Sequence, residues 1–440
     1  IGPDPIYVGA QGSGGLAAWV PISFMYGVLA VVNTFVSQYL GAGQSQRGPA
    51  YAWNALWLSL IFAVLLIPYG FSLPWLFALM GYDQQRIDLA CDYGQIMVFG
   101  AFITMSTRGI GQYFYGMQRP KVVMTASIAG NLTNLCLNWV LIFGHFGFPA
   151  LGLQGAAIAT LIGSLVEAII PFSLFLGKKM NYQYATRAAW RPHISHMRDI
   201  FRIGWPAGAM FGTEMISWGF FMLYLVGSTS KEANTAAFIA QQWMSLSFMP
   251  TVGLGIAVTS TVGKYIGMKR PDIAMQRGHL GFVVGAVWML ICGVIFIVFR
   301  HALIGFFTQD PKVHEIGTTI MVFCGIYQIF DAMYVIYSGA LRGAGDTFIP
   351  AVISNVLCWS LVVGAAGYVA RAYPEIGIKG PWTIATIYGA MLGVFLMVRF
   401  ARGKWMMIQL DDDSNQSPES DTFSNLESPL TPTLSRGERG

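Results

Sequence analysis

The chain has 440 residues, of which 55% are hydrophobic and only 11% are charged, and its formal net charge is +5. This charged fraction is about half of that in soluble globular domains, so the composition indicates a polytopic membrane protein. The basic residues collect in short loops and form no stripe that could follow a phosphate backbone, so we expect no nucleic-acid partner.

Apolar segments long enough to cross about 30 Å of hydrocarbon recur along the chain. Ahead of the first stands IGPDPIYVGA, which has no charged start and no apolar core, and we interpret it as the end of a first helix that is cut short. We then predict eleven full spans, at residues 15–40, 51–72, 92–115, 121–145, 153–177, 203–228, 234–263, 278–300, 314–341, 347–370 and 380–400. Basic residues concentrate in the loops of one side, so the positive-inside rule favours twelve spans with both native termini in the cytoplasm.

The two halves of the chain resemble each other. FVSQYLGAGQ (35–44) parallels STVGKYIGMKR (260–270), and the LGLQG at Leu151 parallels the IGIKG at Ile376. Each motif lies about 225 residues and six predicted spans before its copy, and an even number of spans returns the chain to the same side. These are the features of parallel repeats related by an axis along the membrane normal. We therefore predict an all-α fold of two six-helix bundles around a central cavity.

The repeat also predicts the domain boundaries. We expect an amino-terminal bundle at 1–178, a basic cytoplasmic loop at 179–202, a carboxy-terminal bundle at 203–402 and a tail at 403–440. The tail is rich in Asp, Ser and Pro and has too few hydrophobic residues to bury, so it is predicted to be disordered.

Two acidic residues lie deep inside apolar spans. Glu214 is in AGAMFGTEMISWGFF and Asp331 is in YQIFDAMYVIY. A carboxylate at membrane depth costs several kcal/mol unless a proton or a cation compensates it, so these positions predict an ion or proton site. Tyr327 precedes Asp331 by four residues, which places both on one helical face where they can reach the same ion.

Other polar and aromatic residues are weaker candidates for a cavity. Asn134 and Asn138 form an i, i+4 pair in one span, and Glu167 lies in the next, where each can either line a cavity or join helices. Soft and aromatic side chains can contact flat organic cations, although most such residues in a bundle pack against each other or against lipid. The candidates of this kind are Met210, Trp218 and Trp243.

Four stretches carry a resemblance to a known family: NTFVSQYLGAG (33–43), NLCLNWVLIFGHFGFPALGLQGAAIAT (134–160), FMPTVGLGIA (248–257) and YQIFDAMYVIYSGALRGAGDT (327–347). Together with the duplication, they resemble the multidrug and toxic compound extrusion (MATE) family and its NorM-like subgroup. The resemblance implies a secondary antiporter that exports organic cations in exchange for Na⁺ or H⁺ by alternating access.

The resemblance also assigns roles to residues. The family's coupling positions fall on Glu214, Tyr327, Asp331 and Asp4, the last resting only on DPIYVG, and its polar pair on the fifth span falls on Asn134 and Asn138. The implied protein needs no cofactor besides the transported ion and no metal other than Na⁺ at Glu214 and Asp331. We expect it to be a monomer in the bacterial inner membrane, with organic cations and the lipid bilayer as its partners.

Two alternatives make different demands on the sequence. A lipid-linked saccharide flippase of the same superfamily would place several Arg or Lys residues in its cavity to hold a pyrophosphate, and Arg108 is the only basic residue well within a predicted span. A membrane prenyltransferase would need acidic DDxxD motifs on helices, and the only Asp run, 411–413, lies in the tail. The sequence therefore favours a transporter of cationic cargo over an enzyme.

Overall fold

A computed structural model describes residues 5–226 and 230–408, and all regular structure in these ranges is helical. The helices of the first half are α1 (Pro5–Leu29), α2 (Val31–Gly41), α3 (Gly48–Leu79), α4 (Gln84–Phe99), α5 (Ala101–Gly116), α6 (Pro120–Phe143), α7 (Gly152–Phe175) and α8 (Lys178–Tyr184). Those of the second half are α9 (Ile194–Phe220), α10 (Lys231–Gly267), α11 (Pro271–Val298), α12 (Arg300–Gly305), α13 (Pro311–Gly343), α14 (Phe348–Leu357), α15 (Ala366–Ala372) and α16 (Lys379–Ala401).

Within the described ranges, nine helices are long and apolar enough to cross a membrane, and the bent pair α4–α5 makes a tenth. The predicted span at 203–228 falls on α9 and the π-helical turns Phe221–Val226 that follow it. Each of the eleven predicted spans therefore coincides with a helix, and the all-α, multi-pass membrane fold is confirmed.

The beginning of the chain differs from the prediction. Asp4 lies outside the described residues. Residues from Pro5 onward belong to the same helix as the predicted span at 15–40, and α1 and α2 together run to Gly41. Residues 5–10 thus extend that span and do not form a separate helix end.

Helix starts and bends follow local sequence. Side chains cap α4, α10 and α13, where Asp83 accepts from the backbone N–H of Arg86, Ser230 from that of Ala233, and Asp310 from that of Lys312. The 47° bend between α4 and α5 falls at Gly100, where any Cβ would overlap the Leu161 side chain of α7. The bend thus coincides with a close approach of two helices.

The segments predicted as loop and tail contain ordered structure. Residues 179–202 include most of α8 and the start of α9, and Trp53 and Trp57 of α3 donate to the carbonyls of Thr186 and Trp190. Past residue 402, Lys404–Met407 form a 3₁₀ turn in which the Trp405 ring stacks on Phe400 at 5.0 Å. Order therefore extends beyond the predicted boundary, and residues 409–440 lie outside the description.

The internal repeat is visible in the backbone. Positive φ angles recur at equivalent loop positions of the two halves, as at Gly43 and Lys269 (76° and 57°) and at Gly152 and Gly377 (55° and 59°). The buried hydrophobic residues also fall into two clusters, one between residues 10 and 200 and one between 221 and 405. Each half therefore has a core of its own.

Besides the packing of α1 on α9, the two halves contact each other at the end that carries the basic loops. There α2 packs on the last turns of α10, and Ser260 donates to the Asn33 side chain at 2.9 Å. Gln38 donates to the carbonyl of Gly343 at 3.0 Å, and Thr34 to that of Arg342 at 2.8 Å. These bonds close that end of the interface between the halves.

Candidate functional site

Glu214 lies where three helices of the second half meet. Its carboxylate, on α9, accepts from the hydroxyl of Tyr334 on α13 at 2.7 Å and from that of Tyr388 on α16 at 3.2 Å. Each carboxylate oxygen thus has one neutral donor and keeps lone-pair capacity for a further ligand. The carboxylate is held in place without being neutralised.

Asp331 lies on α13, three residues before Tyr334, and its side chain is only 6% exposed. Its side chain accepts no hydrogen bond from any residue within the described ranges. The charges of Asp331 and Glu214 are close enough to act on each other. Two ionised carboxylates repel strongly in a low-dielectric interior, so this pair is suited to a bound cation or proton.

No described basic residue forms an ion pair with either acid. The nearest candidate is Arg342, which lies one residue beyond the predicted span at 314–341 and which the structure places in the last turn of α13. Its guanidinium lies 5.8 Å from the Phe211 ring centroid and within electrostatic range of Glu214. Helix α13 ends two residues after the predicted span, so Arg342 belongs to its last turn and is a second basic residue in a membrane helix besides Arg108.

Tyr327 lies one helical turn before Asp331, as predicted, but its hydroxyl makes no hydrogen bond to either acid. Its ring packs so closely on α16 that any Cβ at Gly389 would overlap it, and Trp218 of α9 lies edge-on at 6.3 Å. Trp218 lies one helical turn after Glu214 on α9, so the contact between Trp218 and Tyr327 is next to the turns that carry the two acids. The adjacency that the sequence predicted for Tyr327 and Asp331 is present in the structure.

Asn134 joins two helices, and Asn138 bonds to it within α6. Asn138 donates to Asn134 at 3.1 Å, and Asn134 donates to Thr160 of α7 at 3.3 Å. Glu167, also on α7, accepts a hydrogen bond from Ser127 of α6. Asn134 and Glu167 therefore contribute directly to the contact between α6 and α7, and Asn138 contributes through its bond to Asn134.

A small polar cavity opens in the first half, between α1, α5, α6 and α7. Its volume is about 170 Å³, and Tyr26, Arg108 and Glu167 are among the residues that line it. Of the candidate cavity residues in the first half, Glu167 is thus in the lining, whereas Asn134 and Asn138 are not.

The remaining aromatic and Met candidates separate in space. Met210 is buried in α9. Trp243 of α10 donates to the carbonyl of Leu303 at 3.1 Å and packs on Phe306 and Phe307, in the segment after α11. Trp243 therefore packs against the segment that follows α11. Of Met210, Trp218 and Trp243, only Trp218 has a ring contact with Tyr327 within the described residues.

Sequence reasoning missed Tyr334 and Tyr388, the two donors to Glu214. Tyr334 follows Asp331 by three residues, so the helical period already places it on the same face. Tyr388 gives no comparable signal, because its position depends on how α16 packs against α9 and α13.

The comparisons with known proteins agree with this architecture. The MatE family profile matches residues 4–140 and 209–366, more than half of the chain. Among curated relatives, proteins named "Probable multidrug resistance protein NorM" are 29% identical over 410 residues in Burkholderia pseudomallei and 27% identical over 375 residues in Thermotoga maritima. The first alignment covers 91% of this chain and 86% of the relative, and the second covers 84% and 79%.

Solved structures show the same fold. A crystal structure of MATE in the bent conformation superposes with a TM-score of 0.81 at 18% identity, covering 91% of this chain and 88% of that one. A eukaryotic MATE transporter gives a TM-score of 0.80 at 18% identity, covering 92% and 89%. From the family match and the shared fold, the chain belongs to the MatE family, the multidrug and toxic compound extrusion transporters, and is a multi-pass membrane transporter, not an enzyme.

Proposed function

We propose that the chain is an antiporter that exports organic cations, including drugs, in exchange for Na⁺ or H⁺. The observation that supports this best is the pair Glu214 and Asp331, two neighbouring intramembrane acids without a basic partner among the described residues. Its curated relatives named as multidrug resistance proteins support the same class of cargo. We place the protein in a bacterial inner membrane, as a monomer with both native termini in the cytoplasm and no cofactor besides the coupling ion.

The exchange follows from the linkage of two binding events. A coupling ion at Glu214 and Asp331 neutralises the pair and favours one arrangement of the halves, while the organic cation favours the other. Two ligands with opposite effects on one equilibrium weaken each other's binding, and the coupling is typically about 1–3 kcal/mol. Inward flow of the ion then drives the cargo outward.

The test is dye efflux from proteoliposomes under an imposed Na⁺ gradient and, separately, a pH gradient. Asp331→Asn is expected to abolish gradient-driven efflux while the protein still inserts in the membrane, because the variant loses one of the two charges that hold the coupling ion. Asp88→Asn is the matched control, because Asp88 is an exposed carboxylate at the start of α4. Wild-type efflux from Asp331→Asn would contradict the proposal.

One observation favours the flippase as a second candidate. Arg108 of the first half and Arg342 of the second half are close enough for their positive charges to repel each other. Two basic side chains at such a separation could together hold a diphosphate. The acids Glu167, Glu214 and Asp331 accompany them, which opposes a purely anionic headgroup. Flipping of a fluorescent lipid diphosphate in protein-containing vesicles, at a rate above that of protein-free vesicles, would favour this candidate.

A further inference from the structure

The cavity of the first half carries both signs of charge in a small volume. Its 170 Å³ would hold about six waters at ~30 Å³ each. Besides Tyr26, Arg108 and Glu167, its lining includes Gln112, Tyr115 and Ser127. All six of these side chains end in a polar group, so the cavity is suited to a polar part of a ligand.

Arg108 is not paired with a carboxylate in the described structure. Its guanidinium lies over the Tyr26 ring, 5.4 Å from the centroid. When the Gln112 amide is turned with its oxygen toward Arg108, that oxygen is 3.1, 3.3 and 3.2 Å from the three guanidinium nitrogens. Such nearly equal distances place the oxygen over the plane of the guanidinium, so the in-plane N–H groups keep their capacity for another acceptor.

Glu167 lines the same cavity but forms no ion pair with Arg108. The Ser127 hydroxyl donates to its Oε1, and the Arg108 charge acts on it from a distance. The two opposite charges are thus fixed on different walls with open volume between them. An isolated cation or an isolated anion would satisfy only one of them.

We propose that this cavity binds a zwitterionic part of the cargo, with a carboxylate on the fork of Arg108 and an ammonium or amine near Glu167. A guanidinium binds a carboxylate through two parallel N–H donors, and burial strengthens this pair. The inference rests on the proposed transport function and adds the class of cargo to it. Arg108 is then a residue that determines specificity, separate from the ion site at Glu214 and Asp331.

The test compares two dyes that differ in one group. A rhodamine with a free benzoate carboxylate and its methyl ester carry the same cationic ring system, and their affinities for the purified protein are measured by fluorescence anisotropy. The wild-type protein is expected to bind the free acid about ten- to hundredfold more tightly, the range of a hydrogen-bonded charge pair. Arg108→Gln should remove this preference, and Arg108→Lys should retain only part of it.

Two further variants separate the roles of the charges. Glu167→Gln is expected to weaken both dyes by a similar factor and to keep their ratio, because both carry the amine. Arg198→Gln, an exposed Arg at the start of α9, is the control and should keep the wild-type ratio. If Arg108→Gln does not yield monodisperse protein, Arg108→Lys carries the test.

A wild-type protein without preference for the free acid, or an Arg108 variant that keeps the full preference, would overturn the inference. Gradient-driven efflux of the ester dye tests the proposed function independently. If the ester is not exported although the binding preference is present, antiport fails and the cavity assignment stands.

Discussion

The two tyrosines on Glu214 differ in what they contribute. The Tyr334 hydroxyl is 2.7 Å from Oε2, whereas the Tyr388 hydroxyl is 3.2 Å from Oε1. A shorter hydrogen bond to an ionised acceptor is the stronger one, and such bonds contribute about 1.5–3 kcal/mol. Tyr334 is therefore expected to fix the orientation of Glu214 more firmly than Tyr388 does.

Tyr334→Phe is expected to lower gradient-driven efflux about tenfold, because the carboxylate loses its better donor and its fixed orientation. Tyr388→Phe, with the same chemical change at a longer distance, should lower it only a few-fold. Initial efflux rates at a series of ion gradients measure both. A larger loss from Tyr388→Phe than from Tyr334→Phe would contradict this ranking.

At the scale of helices, α13 carries most of the second-half site on one stripe. Tyr327, Asp331, Tyr334, Ser338 and Arg342 follow at intervals of three or four residues, so they share a face of the helix. The approach of α16 then depends on Gly389, whose missing side chain leaves room for the Tyr327 ring. Since Tyr388 immediately precedes Gly389, this close contact also positions a donor to Glu214.

Gly389→Ala is expected to force α16 away from α13 and to destabilise the protein by about 1–3 kcal/mol, as overpacking does. Loss of the Tyr388 hydrogen bond should reduce efflux as well. Melting followed by size-exclusion fluorescence measures the stability.

Gly253→Ala on α10 is the matched control for this change, because nothing lies within 4 Å of a Cβ at that position. Its melting temperature should equal or exceed that of the wild type, since alanine also favours the helix. Equal melting of Gly389→Ala and the wild type would refute the packing argument.

At the scale of the molecule, the two halves share a contact in which equivalent residues of the internal repeat occupy equivalent places. A Cβ at Gly41 would overlap the carbonyl of Lys264, and a Cβ at Gly267 would overlap that of Gln38. Gly41 and Gly267 occupy equivalent positions of the two copies, as do Gln38 and Lys264. The two backbones therefore touch reciprocally about the axis that relates the halves. Under the proposed mechanism, opening toward the cytoplasm must break this contact.

A disulfide across this contact is expected to stop transport. Ser37 and Gly263 suit it, because the Cβ of Ser37 is 3.2 Å from a Cβ built at Gly263, which is a few tenths of an ångström below the range of about 3.5–4.5 Å in disulfides. The oxidised Ser37→Cys, Gly263→Cys double variant should lose efflux and regain it with a reductant.

The two single-cysteine variants are the controls for this experiment, since each lacks a partner at the contact and should be insensitive to the oxidant. Unchanged efflux from the cross-linked double variant would show that the halves need not separate here.

The sequence alone determined the helical membrane fold, the repeat and the positions of the buried acids. Hydrophobic length and the cost of a charge in hydrocarbon are local properties, so they can be read from consecutive residues around Glu214 and Asp331. Helical period also placed Tyr327 beside Asp331. The family resemblance, now confirmed by the profile match, rested on the same local stretches.

Only the tertiary structure decided which side chains from different helices meet. Tyr388 donates to Glu214 although the two residues are 174 positions apart in the sequence. Arg108 lines the same cavity as Glu167 but forms no ion pair with it in the described structure. The approach of α16 to α13 and of α2 to α10 depends on glycines on facing surfaces, and no period within a single helix encodes that match. Contacts of this kind depend on how helices pack against each other, and that packing cannot be read from the residues of a single span.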